Sequence, residues 1–212
     1  MFLYGVIYAV IENNLRRILC FASISQKGIM LMAISIGTRD LLAAAAILAF
    51  CHILYKCLMT ICTGIITDTT EVEFATDIKK LPYSLWPVGI GIVVGLCFII
   101  AVPFVGSFIP KSVTLNEFME YGTIYLLFLA GSSILLLCYP WRKIFLIDEY
   151  MVIKHKQSNH SVFALYFMII ISVFISIFIK PISKFALDIE FFISDIALVD
   201  QFLLITASLM VT

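Results

Sequence analysis

Residues 41–66 read LLAAAAILAFCHILYKCLMTICTGII. A helix that crosses a bilayer needs about 20 largely apolar residues, and this run exceeds that. It nevertheless places His52 and Lys56, four residues apart, near its middle. Working outward, four further apolar runs of spanning length appear, at 18–37, 85–105, 121–139 and 163–180. The opening stretch MFLYGVIYAVIE reaches only to Glu12 and is too short to span alone, so it reads as the second half of a helix. It has no basic leading segment and no small-residue cleavage site, which argues for a membrane segment and against a signal peptide.

Composition agrees. Hydrophobic residues make up 62% of the 212 and charged residues 13%, and mean hydropathy is +1.09. Soluble domains run at about 45–50% apolar and about 25% charged. The expected fold is therefore all-α: a polytopic membrane helical bundle of about five full spans, with a partial first helix, one broken helix and a C-terminal amphipathic segment. Residues 1–180 would form the transmembrane domain and 181–212 the tail. In that tail Asp188, Glu190, Asp195 and Asp200 lie among phenylalanines and isoleucines. Residues 184–199 have near-helical apolar spacing, as in a helix lying at the membrane interface. The closing LLITASLMV, 203–211, lies in the interface or re-enters the bilayer.

Several function classes drop out. Net charge is zero and no Lys/Arg run is long enough to grip phosphates, so no nucleic-acid partner is expected. The six cysteines, Cys20, Cys51, Cys57, Cys62, Cys97 and Cys138, sit in apolar runs without CxxC spacing. They read as small buried hydrophobes and not as metal ligands or a disulfide framework. No metal or other cofactor is implied. GxSxG, HExxH and phosphate-loop patterns are missing, which weakens an enzyme reading. His155 and His160 in HKQSNH have no acidic partner at motif spacing and read as loop residues.

The ionisable residues inside the runs carry the functional question. A lysine at the bilayer centre costs about 2.5–3.5 kcal/mol on insertion scales, so Lys27, Lys56 and Lys111 together would cost roughly 8–10 kcal/mol if all lay deep. An amine in a low-dielectric interior resists charging and can then gain and lose a proton near neutrality, where histidine titrates anyway. On a helix His52, Lys56, Thr60 and Thr63 recur at spacings of four, four and three, a stripe able to line a chain of water. In the preceding run Ser23 and Lys27 lie four apart, with Gln26 beside them. Plainer readings stand alongside: snorkelling of the lysines to the headgroups, and a structural packing pair for His52 and Lys56.

The third feature is AVPFVGSFIPK, 101–111, where Pro103, Gly106, Ser107 and Pro110 interrupt a helix just before Lys111. Proline removes a backbone donor and clashes with the preceding turn. Helices broken at membrane depth are tolerated where they line a cavity and are frequent at transport sites. The plainer reading makes 106–120 an external loop with Lys111 solvated. The runs 121–139 and 163–179 contain no Asp, Glu, Lys, Arg or His and read as scaffold.

Loop charges suggest an orientation. Arg16 and Arg17, Lys79 and Lys80, and Arg142, Lys143, Lys154 and Lys156 alternate to one side, although Asp68, Glu71, Glu73 and Asp77 blunt the signal. Arg39, Lys180 and Lys184 fall on the other side. The NNLRR loop is then cytoplasmic and the C-terminus extracytoplasmic.

These residues carry a family resemblance. NNLRRILCFASISQKG (13–28) resembles the N-D-(L/I)-K-R-x-L-A-Y-S-S-x-S-Q-x-G segment of the ion-translocating membrane proteins shared by NADH:quinone oxidoreductase (its L-, M- and N-type members) and the multisubunit Mrp-type cation/proton antiporters. AFCHILYKCLMTICTG (49–64) is similar to that family's histidine–lysine helix, VPFVGSFIPK (102–111) to its broken helix, and YLLFLAGSSILLLCYPWRKIF (125–145) to the helix that follows. Lysine at 111, where some relatives carry glutamate, is closest to the D-type member of the Mrp antiporters. The resemblance covers nearly the whole chain but only the last half of a family member, the tenth to fourteenth of fourteen helices.

It implies that Lys56 and Lys111 are proton-relay positions, Lys111 ending the second half-channel, with His52 beside the relay. It implies a transporter subunit and not an enzyme in its own right, although the host could be a proton-pumping oxidoreductase. The implied setting is a bacterial plasma (inner) membrane. The implied partners are other subunits of a multisubunit complex, with a chain supplying the missing N-terminal helices, and the ions are protons and Na+. There are departures. Asn14 replaces the usual aspartate, Leu48 a second histidine, and Cys20-Phe21-Ala22 the usual Ala-Tyr-Ser, while Lys27 sits where relatives are apolar. The first half-channel's glutamate and lysine lie upstream. The chain is thus expected to work with a partner carrying that half, or to be a non-conducting assembly subunit or a decaying relic, since its heavy use of Ile, Phe and Lys fits drift.

Overall fold

A computed structural model describes residues 1–102, 105–120, 122 and 149–187. Six α-helices are present among them: α1 (Phe2–Ile11), α2 (Leu15–Ile36), α3 (Arg39–Thr70), α4 (Trp86–Ile100), α5 (Phe108–Met119) and α6 (Asn159–Leu187). Among the described residues there are no strands, only two isolated β-bridges, Asn14 with Phe74 and Lys80 with Tyr150. The fold is the expected all-α membrane bundle. The expected run 121–139 and most of the tail, from 188 onward, lie outside the described residues. α6 continues past Pro181 to Leu187.

Local chemistry sets the ends. The Asn14 side chain accepts from the backbone N–H groups of Arg16 and Arg17 at 3.1 and 3.3 Å, so α2 starts at Leu15. Asparagine is among the best capping residues. Gly37, at φ 79°, stops α2 in the left-handed conformation that glycine adopts without a side-chain clash. Thr38 then caps α3 through Leu41 N–H at 3.3 Å. At about 1.5 Å per residue, α2 and α3 are long enough to cross about 30 Å of hydrocarbon, and so is α6. α4 has 15 residues, about 22 Å, and cannot cross alone.

The crossing is completed by α5. Thr38, at the start of α3, donates to Glu117 near the end of α5 at 3.3 Å, so α4 and α5 together run antiparallel to α3. Three apolar clusters stack along the bundle. One end packs Leu15, Leu58, Ile66, Ile78, Leu85, Val88 and Leu165. The other packs Phe2, Ile29, Leu41, Leu48, Leu115 and Phe118. Between them Ile47, Cys51, Tyr55, Phe98, Phe108 and Ile179 surround the break between α4 and α5.

The segments before α2, after α3 and before α6 meet at one end. Leu15 N–H bonds Glu73 O at 3.0 Å, and Ala75 N–H bonds Asn13 O at 2.7 Å. Lys154 and His155 N–H both bond Thr69 O, at 2.9 and 3.0 Å. Four of the basic residues expected on one side thus gather at this end, each with an acid: Arg16 with Asp68, Arg17 with Glu12, Lys79 with Glu149, and Lys154 with Glu71.

Candidate functional site

The polar side chains inside the bundle are held by α2, α3 and the α4–α5 break. Lys56 is half-buried between α2 and α3. Its amine donates to Ser23 Oγ at 2.5 Å and to Leu19 O at 2.8 Å. Ser23 in turn donates to Leu19 O at 2.7 Å. One turn along α3, His52 is 6% exposed, and its Nδ1 lies 2.6 Å from the Tyr55 hydroxyl. The hydroxyl donates there when Nδ1 carries no proton. The two rings meet edge to face, centroids 4.9 Å apart.

The break is built from the orphan carbonyls that every helix end leaves. Ala101, at φ 61°, turns the chain out of α4, and both Ala101 and Val102 N–H return to Cys97 O. The next two carbonyls find side chains. Phe98 O accepts from Ser107 Oγ at 2.6 Å, and Ile99 O accepts from the Lys111 amine. Lys111 is 3% exposed, and α5 is a helix, which removes the reading of 106–120 as an external loop. A cationic amine at a helix C-terminus also meets the negative end of its dipole. Gly106 packs against Cys51, and its N–H reaches Ser176 Oγ at 3.2 Å. Pro110 falls in the first turn of α5, where proline's missing donor goes unneeded. Pro103 lies outside the described residues.

A cavity of about 10 Å³, on the scale of one water molecule, opens between α2, α3 and α4, lined by Ser23, Gln26, Tyr55, Lys56, Met59 and Ile99 among others. Gln26 is 2% exposed and its amide nitrogen has no hydrogen-bond partner among the described residues. Lys56 and Gln26 are among its lining residues, as are Tyr55, which bonds His52, and Ile99, whose carbonyl accepts from Lys111, and the surface they present to this space is apolar.

Not every expected residue joins them. Thr63 is buried and donates to Met59 O, whereas Thr60 is exposed and donates to Lys56 O. Both hydroxyls back-bond within their own helix. Lys27 faces outward from α2. Tyr55 does not stand out in the sequence, although a tyrosine in an apolar run needs a partner for its hydroxyl, and His52 three residues earlier on the same helix supplies one. The carbonyls of Leu19 and Ile99 are backbone groups and leave no mark in a sequence. Among the described residues no group of three or more His, Cys, Asp or Glu is placed to hold a metal.

Comparison with known proteins adds four findings. The family model described as NADH:quinone oxidoreductase/Mrp antiporter, TM, matches residues 1–137. The NADH-ubiquinone oxidoreductase chain 5 of Aedes aegypti is 29% identical over 158 residues, which are 68% of this chain and 25% of that protein. Its counterpart in Branchiostoma lanceolatum is 27% identical over 113 residues, 51% of this chain and 18% of the relative. A chain in the structure of the Mrp complex from Dietzia sp. shares the fold at a TM-score of 0.76 and 14% identity, over 97% of this chain and 25% of that one. This chain therefore spans a quarter or less of the length of these relatives.

Proposed function

The chain belongs to the NADH:quinone oxidoreductase/Mrp antiporter transmembrane family and is an integral membrane protein; from that premise we propose that it supplies the second proton half-channel of an ion-translocating membrane subunit. The observation that carries the proposal is the gathering of Lys56, Gln26, Tyr55–His52 and Ile99–Lys111 around one water-sized cavity inside the bundle. Protons hop between the Lys56 amine, water in that cavity and the Tyr55–His52 pair, and pass to Lys111 across the break. The break gives water its access, because backbone left irregular at membrane depth is tolerated where it lines a cavity.

The half-channel is completed by the helices that carry the first half, on a preceding segment or on another chain. The whole sits in a multisubunit complex of the kind named for the Dietzia neighbour, or in an oxidoreductase of the kind named for the curated relatives. Protons are the ions moved, with Na+ as the exchanged cation in an antiporter host. The end bearing Arg16 and Arg17 faces the cytoplasm of a bacterial cell, and the C-terminus faces outward.

A second reading is favoured by a specific observation. The amines of Lys56 and Lys111 both rest on backbone carbonyls, as they would in a non-conducting assembly subunit. Substitution by arginine separates the two. Arginine keeps the donors and the charge but does not release a proton. In proteoliposomes holding the assembled complex, proton flux is followed with a pH-sensitive dye. Lys56→Arg and Lys111→Arg are expected to assemble normally and to lower flux at least tenfold. Unchanged flux in the double variant would establish the assembly role and end the relay reading.

A further inference from the structure

Lys27 sits in the wrong place for a solitary cation. It is the thirteenth residue of α2, about 14 Å from the nearer helix end and about 18 Å from the other at 1.5 Å per residue. Helical side chains lean toward the N-terminus, so its stem points away from the nearer end. A lysine chain reaching for headgroups must then cover most of the longer distance, more than its four methylenes span. Yet Lys27 is exposed on the surface of the bundle, on the outward stripe of α2 with Cys20, Leu31 and Ile34. Among the described residues no hydrogen bond or ion pair engages its amine.

None of these 212 residues offers an acid there. The 14 carboxylates all fall outside the apolar runs 18–37, 41–66, 85–105, 121–139 and 163–180. An unpaired lysine against lipid at this depth is costly, and intramembrane charges almost always face protein and pair. We propose that the Lys27 face of α2 is covered by a transmembrane helix of a partner chain, which presents an Asp or Glu carboxylate at mid-bilayer depth. Leu31 and Ile34 supply the apolar contact on one side of that ion pair, and Cys20 a small residue on the other. The proposal rests on the multisubunit part of the function above, and on no step of proton transfer.

The test uses the full chain in its native membranes. A hydrophobic carbodiimide joins an amine to a carboxylate in contact with it, and mass spectrometry of the products locates the carboxylate. The expected result is an amide between Lys27 and an Asp or Glu inside an apolar span of a different polypeptide. Lys27→Met should abolish it and lower recovery of that polypeptide in mild detergent at least tenfold, while Lys27→Arg keeps recovery. Exchange of the two charges, Lys27→Glu with the carboxylate changed to lysine, should restore it. The proposal is overturned if Lys27 is modified by water-soluble amine reagents at headgroup depth, or if it links to any carboxylate of its own polypeptide, Asp188, Glu190, Asp195 and Asp200 of the tail included. It is also overturned if Lys27→Met co-purifies with its partners as wild type does. That last outcome leaves the multisubunit reading intact, whereas recovery of no partner with wild type overturns both.

Discussion

At the scale of single residues, the interior lysines share one solution: each amine is taken up by the backbone of a neighbouring helix. Lys56 crosses from α3 to Leu19 O and Ser23 Oγ on α2, and Lys111 crosses from α5 to Ile99 O on α4. Such bonds hold helices together in a setting where apolar side chains gain little by leaving lipid. Ser23 is placed to show the worth of one of them. Ser23→Ala removes an acceptor but leaves Leu19 O, so the amine remains half-satisfied. Interhelical hydrogen bonds of this kind measure about 0.6 kcal/mol on average and about 1.7 at most. A destabilisation in that range, read from thermal unfolding in detergent, is the expected outcome. A melting curve identical to wild type would mean that water from the adjoining cavity replaces the hydroxyl. The lysines and Ser23 are legible in the sequence as polar residues in apolar runs. Their true acceptors are not, because a carbonyl is the same in every residue and only the fold selects which two meet an amine.

At the scale of helices, the sequence shows apolar length clearly and helix ends less well. The run beginning at 18 starts as a helix at Leu15, since the Asn14 cap recruits two charged residues, Arg16 and Arg17, that hydropathy excludes. Within the run 85–105 the helix is 15 residues long, because Ala101 leaves the helical region before Pro103 is reached. Contacts between helices are not legible, and the clearest case is α1 on α2. A Cβ on Gly28 would lie 2.6 Å from the Phe2 backbone nitrogen, and one on Gly5 would lie 2.5 Å from that of Ser25. The two backbones touch, which only small residues allow. Gly28→Ala is therefore expected to push α1 off α2 at about 1–3 kcal/mol, the usual scale of overpacking. Gly64→Ala in α3 meets nothing within 4 Å and should be neutral or stabilising by about 0.5–1 kcal/mol, as alanine is the better helix former. Thermal unfolding of the pair in one detergent checks both. Equal effects would show that α1 does not depend on this contact.

At the scale of the whole molecule, one end of the bundle is tied by polar groups where the interior is tied by apolar ones. Glu71 ends α3 at φ 59°, with its carboxylate 2.6 Å from the Lys154 amine and 2.8 Å from His155 Nε2. Those hydrogen bonds, Lys154 first, hold its carboxyl below the usual carboxylate range. The Lys79 amine does the same for Glu149, beside the backbone pair in which Lys80 N–H bonds Glu149 O and Met151 N–H bonds Lys80 O. These contacts join segments that are distant in sequence, which is why HKQSNH reads as an unpartnered loop. A carboxyl whose folded pKa is depressed stabilises the fold above its unfolded value, about 4.3 for glutamate, and loses that contribution as pH falls through the folded value. The clasp should therefore be intact at neutral pH and released in acid. Hydrogen exchange, corrected for the intrinsic pH dependence of the rate, reads this at the Lys154 and His155 amides, which bond Thr69 O. Their protection should fall as pH drops below about 4, and Glu71→Gln should lower it already at neutral pH. The pairs are exposed, so added salt should weaken protection in wild type and change little in Glu71→Gln. Protection that ignores pH, salt and the substitution alike would mean that the Thr69 carbonyl alone holds the segment before α6 against the end of α3.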